Sequence, residues 1–128
     1  MLILKRNQWK KGVVGAVAGV VMLGAGGVSA GAVWISGVKV VQTLSDAGAY
    51  GDCMAHMSKP ISDYISGCPG NGWVTFSCDG TYNSKDAGQR KFESAQLALA
   101  LGYRVSLLVD NTKKHNGYCY ARRIDIYK

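Results

Sequence analysis

The stretch at residues 84–110, SKDAGQRKFESAQLALALGYRVSLLVD, changes its hydrophobic period partway, and that change decides the fold class. In the first part Ala87, Phe92, Ala95, Ala98 and Leu99 make an apolar stripe, while Gln89, Arg90, Glu93 and Gln96 fall on the other side, the pattern of an amphipathic helix. Ser84 or Asn83 is placed to cap it, Asp86 lies in its first turn and Gly102 follows Leu101 as a stop. Gly88 in the first turns weakens the helix by about 1 kcal/mol relative to alanine. From residue 104 the period drops to two. Val105, Leu107 and Val109 alternate with Arg104, Ser106 and Leu108, so the helix runs directly into a strand.

Working outward from this pair, three strands are expected upstream and one downstream. VWISGVKVVQTLSD at 33–46 is β-branched and alternating, CMAHM at 53–57 is short and ended by Pro60, and WVTFSC at 73–78 is the clearest strand. Val74, Phe76 and Cys78 share one face of that last segment, and Trp73, Thr75 and Ser77 the other. Between the second and third strands, ISDYISGCPGNG at 61–72 reads as an irregular excursion without a core of its own. Downstream, NTKKHNG at 111–117 is a hairpin loop ending in the favoured turn pair Asn116–Gly117, and YCYARRIDIYK at 118–128 is the closing strand. Strict alternation there would put Cys119 and Ala121 opposite Ile124 and Ile126, although both pairs suit an interior. A bulge near Arg122–Arg123 reconciles them, with Asp125 available to neutralise one arginine.

The order is therefore strand, strand, strand, helix, strand, strand. It predicts an α+β, mainly β domain: an OB-type five-stranded barrel with one helix between the third and fourth strands. An open α+β sandwich is the competitor. Closure is preferred because it removes exposed strand edges, and the helix can plug one end.

The N-terminus is of a different kind. Residues 1–11 carry Lys5, Arg6, Lys10 and Lys11 and no acid, and an uncharged, small-residue apolar run follows to Ile35. A basic segment, an apolar segment and small residues at Val28–Ala30 or Ala30–Ala32 predict a signal peptide over residues 1–32, with an uncleaved membrane anchor as the alternative. The chain has 15 basic and 8 acidic residues, a net +7. Four of the basic residues and none of the acidic ones precede residue 33, so the expected domain at 33–128 carries eleven against eight, a net +3. That modest charge argues against a nucleic-acid partner.

All four cysteines lie in this small domain, which at this size buries only about 60–65% of its unfolded surface and benefits from cross-links. An even cysteine count in an exported domain predicts two disulfides and a periplasmic or secreted location. The strand reading favours Cys53–Cys68, closing the excursion, and Cys78–Cys119, joining the third and last strands. A zinc site built on Cys53-x-x-His56 and His115-x-x-x-Cys119 is the sharper alternative. It is disfavoured because no Cys-x-x-Cys occurs and export favours oxidation. His56 is expected as a strand residue and His115 as a solvated loop residue. The acids Asp79, Glu93, Asp110 and Asp125 are scattered, and no phosphate loop, nucleophile elbow or His-Glu-x-x-His is present, so no catalytic residue and no cofactor are predicted.

With its leading VWISGVKV, a disulfide-linked strand pair, AGQRKFESAQLALALGYRVSLLV as a helix entering a strand, and the terminal NGYCYARRIDI, the layout resembles the ring-forming B subunits of AB-type toxins of the pertussis and subtilase-cytotoxin kind. It is similar too to small secreted bacterial proteins of the same plan. The resemblance implies an OB fold, assembly into a homo-oligomeric ring and glycan binding. The expectation is a non-catalytic module for a glycan or protein partner. An aromatic platform with a few polar groups is the usual chemistry of such sites, and the candidates are Tyr118, Tyr120 and Arg122 with Trp73 and Thr75 across the sheet. The alternatives are a membrane-tethered component of the bacterial envelope and, behind it, a nucleic-acid-binding OB domain.

Overall fold

The computed structural model describes residues 31–128; the expected signal peptide or anchor lies outside them but for its last two residues. Five strands and one long helix follow in the expected order: β1 (Ala32–Ser45), β2 (Cys53–Met57), β3 (Trp73–Thr75), α1 (Lys85–Leu101), β4 (Arg104–His115) and β5 (Tyr118–Tyr127). The strands pair in the order β1-β2-β3-β5-β4, and β4 returns to β1, so one five-stranded sheet closes on itself in a ring. No helix among the described residues is long and apolar enough to cross a membrane.

Closure depends on β1 serving two neighbours. Its first half pairs with β4 and its second half with β2. The register shifts between Ile35 and Val38, where Gly37 takes a φ of 74° and its N–H is held by the Tyr127 hydroxyl at 2.8 Å. Such breaks bend a strand around a core. On the opposite side β3 and β5 meet through a single parallel pair, Thr75 with Tyr120. The bulge expected on β5 is present: Leu108 pairs with Arg123 and Val109 with Ala121, leaving Arg122 over. The Arg123–Asp125 ion pair forms at 2.8 Å, largely exposed.

Ile35, Val38, Val74, Phe76, Val105, Leu107 and Val109 fill the interior with no exposure above 1%, and Phe92, Ala95 and Ala98 of α1 complete it. Ser84 caps the helix, accepting the Ala87 N–H at 3.1 Å, and Gly102 ends it with a φ of 67°. Two details of the helix differ from expectation. Leu99 is 38% exposed and lies off the buried stripe. Gly88 is on it, because a Cβ there would sit 2.8 Å from the Cys78 Cα. Its cost in helix propensity secures a close approach of helix to chain.

Three further readings are corrected. The third strand ends at Thr75, not Cys78, since Ser77 turns into the left-handed region with a φ of 54° and folds the chain back. The excursion at 58–72 is no appendage: Ile61 and Ile65 are buried in the common core, and the Asn111 amide donates to the Ser66 carbonyl at 2.9 Å. The disulfides are Cys53–Cys78 and Cys68–Cys119, not the pairs expected. The turn at Ser77 returns Cys78 to the start of β2, while the excursion carries Cys68 across to β5; both bridges have Cα atoms 5.7 Å apart. Chain-entropy arguments assign them about 3.5 and 4 kcal/mol. Two disulfides with no free cysteine among the described residues are the chemistry of an oxidising, extracytoplasmic environment.

Candidate functional site: an aromatic pocket on the outer face

The register places Leu44, Met54 and Thr75 in one row across β1, β2 and β3, on the side of the sheet away from the core. Gln42, His56 and Trp73 form the next row. Met54 is buried even though it points outward, because side chains from the preceding loop and from β5 lean over it. Tyr50 comes from the loop between β1 and β2, and Tyr118 from the start of β5; their rings meet edge to face with centroids 5.8 Å apart. Together with Trp73 they open a cavity of ≈ 180 Å³ floored by Leu44 and Met54.

Of the five residues expected to form a site, this pocket uses Trp73 and Tyr118. Thr75 is fully buried beneath the loop, where its hydroxyl donates to the Tyr50 carbonyl at 2.7 Å; it holds Tyr50 and has no surface of its own. Tyr120 is 3% exposed, its ring 5.4 Å from that of Tyr82. Arg122 is exposed at the β5 bulge, beyond the pocket's lining. Tyr50, Met54 and Leu44 went unforeseen. The segment AGAYGD at 47–52 has the composition of a turn, and nothing in it marks Tyr50 as part of a site.

Tyr50 is held by an unusual backbone. Tyr50, Gly51 and Asp52 take consecutive left-handed φ values of 56°, 71° and 69°. That region costs a residue with a side chain roughly 1–2 kcal/mol, and such strain persists only where the surroundings over-determine it. They do so here. The Asp52 carboxylate accepts the Gly48 N–H at 2.8 Å, the Asp52 carbonyl accepts the Asp46 N–H at 2.9 Å, and the Asp79 N–H reaches the Gly51 carbonyl at 3.2 Å. A Cβ on Gly51 would lie 2.6 Å from both Thr75 Oγ1 and His115 Cδ2, so only glycine fits. Cys53 follows at once, bridged to Cys78.

Beyond Trp73 the pocket gives way to a second cavity. The His56 ring stacks on Trp73, with centroids 4.8 Å apart and planes within 13°. On the far side of that stack a cavity of ≈ 330 Å³ is lined by Val41, Ser58, Lys59, Pro60 and Asn71. The stacked pair thus stands between the two cavities, His56 lining one and Trp73 the other.

Two buried polar clusters support this face. Ser77, Asp79 and His115 converge, with Ser77 Oγ 2.8 Å from Asp79 Oδ1 and 3.0 Å from His115 Nε2, and Asp79 Oδ1 3.4 Å from the same nitrogen. A Ser-His-Asp relay needs serine and aspartate on opposite ring nitrogens. Here both approach Nε2, Ser77 is fully buried and its oxygen accepts the Tyr82 N–H at 3.1 Å. This geometry ties β4 to the turn after β3. His115, expected in solvent, is therefore a half-buried tie beneath Gly51, because β4 runs on to the Asn116–Gly117 turn instead of stopping at residue 110. Burial pushes the Asp79 carboxyl up, but hydrogen bonds from Thr81 and Ser77 and the charge of His115 outweigh it and hold it below the usual value of 3.8.

The second cluster joins α1 to β5. Lys91 Nζ donates to the Tyr120 hydroxyl at 2.9 Å and to the carbonyls of Ala121 and Arg122 at 3.0 and 3.3 Å. Because β3 leaves β5 after one pair, those carbonyls lack a strand partner, and the ammonium takes its place. Burial lowers Lys91 to about 8 from 10.5 and raises Tyr120 above 10.0. The Tyr120 hydroxyl in turn donates to Asn83 Oδ1 at 2.9 Å. Neither spacing considered for zinc retains a thiolate, since Cys53 and Cys119 are both in disulfides.

No family model matches the chain, and neither the curated proteins nor the solved structures contain a match to it.

Proposed function

We propose that this chain is an exported, non-catalytic binding module, an OB-like barrel that engages a surface ligand of glycan type through the pocket of Tyr50, Trp73 and Tyr118. One observation carries the reading. Three aromatic side chains from three separate segments converge over an apolar floor, and one of them is held by a strained turn that the fold goes to some length to maintain. Strain of this sort gathers at ligand clamps, where it fixes geometry before the ligand arrives. The resemblance of the sequence layout to toxin B subunits supports the same class of function, as do two disulfides suited to an extracytoplasmic location.

The test is a glycan array probed with the full chain and with Tyr118→Ala. The wild type retains a defined set of glycans. Tyr118→Ala loses that set while still unfolding in one cooperative transition in denaturant. Failure of the wild type to bind any array member, or equal binding by the variant, sinks the reading.

A further inference from the structure

We infer that the aromatic pocket takes an uncharged pyranose at the end of a glycan and discriminates against sugars that carry an acid group; this rests on the pocket being the binding site. Size comes first. At ≈ 180 Å³ the pocket is smaller than the roughly 300–1,000 Å³ that encloses a whole small ligand, so it takes one residue of a larger molecule.

The polar groups of the lining residues select the chemistry. Tyr82, Tyr120 and Tyr127 use their hydroxyls within the fold, on the Lys114 carbonyl, on Asn83 and on the Gly37 N–H. The hydroxyls of Tyr50 and Tyr118 and the indole N–H of Trp73 make no hydrogen bond among the described residues, and none of the three is buried. The pocket therefore offers two groups that both donate and accept and one that donates only. They border three aromatic rings and the side chains of Leu44 and Met54. A pyranose matches both kinds of surface: its C–H faces lie on rings, while its hydroxyls meet the polar groups. A purely apolar ligand would strip water from those three groups and return no hydrogen bond, which is costly.

Charge narrows the class. No lysine, arginine, aspartate or glutamate lines the pocket, and His56, which stacks on Trp73, lines the neighbouring cavity instead. The loop that supplies Tyr50, residues 46–52, carries Asp46 and Asp52 and no basic residue. A carboxylate or sulfate seated here would lose water with no cation to pair with, close to a loop that bears two acids of its own. An uncharged sugar meets no such penalty. The ligand class is a glycan terminus of hexose type.

The experiment probes the full chain on an array whose members come in pairs, ending in a hexose or in the matching hexuronic acid, with calorimetry on the pair retained best. The hexose binds, the hexuronic acid binds about ten-fold more weakly, and converting its carboxylate to the amide restores binding. Affinity for the hexose changes by less than about two-fold between low and high salt, since no charge pair forms. Tyr50→Phe combined with Tyr118→Phe keeps both rings, still unfolds cooperatively and weakens hexose binding by about ten-fold, through two lost hydrogen bonds. Unchanged binding by that double variant overturns the inference in favour of a merely apolar pocket. Hexuronic acids bound as well as hexoses, and lost in Tyr118→Ala, overturn the inference and leave the binding module standing. No array member bound by the wild type removes both.

Discussion

Tyr118 and Tyr120 stand two residues apart on β5, on the same side of the strand, and come to opposite ends. Tyr118 keeps one face open to the pocket, meeting Tyr50 only at an edge. Tyr120 is sealed beneath Tyr82, its hydroxyl donating to Asn83 and accepting from Lys91. The strand treats them alike; what differs is the segment that arrives over each. A taut loop stops short of covering Tyr118, whereas the helix and its cap close fully over Tyr120. Whether an outward-facing tyrosine stays open or is sealed depends on chain that lies thirty to seventy positions away.

The comparison breaks most severely at its common support. Replacing Cys53 and Cys78 with serine together should cost about 3.5 kcal/mol on loop-entropy grounds, read as a fall in the guanidinium midpoint. It should also release the Tyr50 turn and weaken ligand binding. An unchanged midpoint would mean that the hydrogen bonds around Asp52 fix the turn alone. Next, Tyr120→Phe should cost about 1–3 kcal/mol, since Asn83 and Lys91 lose a buried partner, whereas Tyr118→Phe should stay within about 0.5 kcal/mol. Equal effects in the two variants would erase the distinction between them.

A subtler expectation concerns Lys91. Its pKa is about 8 in the folded chain against 10.5 ordinarily, so between these values the unfolded chain binds more protons. Stability should therefore rise with pH across that window, the cost of the buried ammonium being fully present below about 8. Lys91→Met should flatten the rise, measured by denaturant titration at successive pH values under conditions that block disulfide exchange. The smallest effect belongs to Asp79. Its folded pKa is depressed, so its contribution is present above the ordinary value of 3.8 and fades as pH falls through the folded one. Asp79→Asn should lessen the fall of the denaturant midpoint as the pH is lowered through the acid range.

The element order, the helix caps, the Asn116–Gly117 turn and the β5 bulge were all legible, because each depends on local chemistry: period, a capping hydroxyl, a left-handed pair, and two apolar pairs in conflicting register. The disulfide pairing was not. It turns on Ser77, a residue whose left-handed conformation no propensity announces, and on the buried excursion, whose Ile61 and Ile65 are spaced as on one helix face but over a single turn too short to read as a helix. The site was half legible for the same reason. Trp73 and Tyr118 were visible as strand aromatics, but Thr75 belongs to the support and Tyr50 to a turn whose importance depends on contacts with Thr75, Asp79 and His115. Lys91 escaped notice because an exposed-looking lysine on a helix gives no sign that two strand carbonyls await it.

The two disulfides also have an arrangement in sequence. One spans 53–78 and the other 68–119, so their intervals overlap between residues 68 and 78. A single proteolytic nick anywhere between Cys53 and Cys119 therefore leaves the two pieces covalently joined, through one bridge or both. A cut loop is then a local injury from which the sheet can stay closed, and the molecule runs as one band until it is reduced.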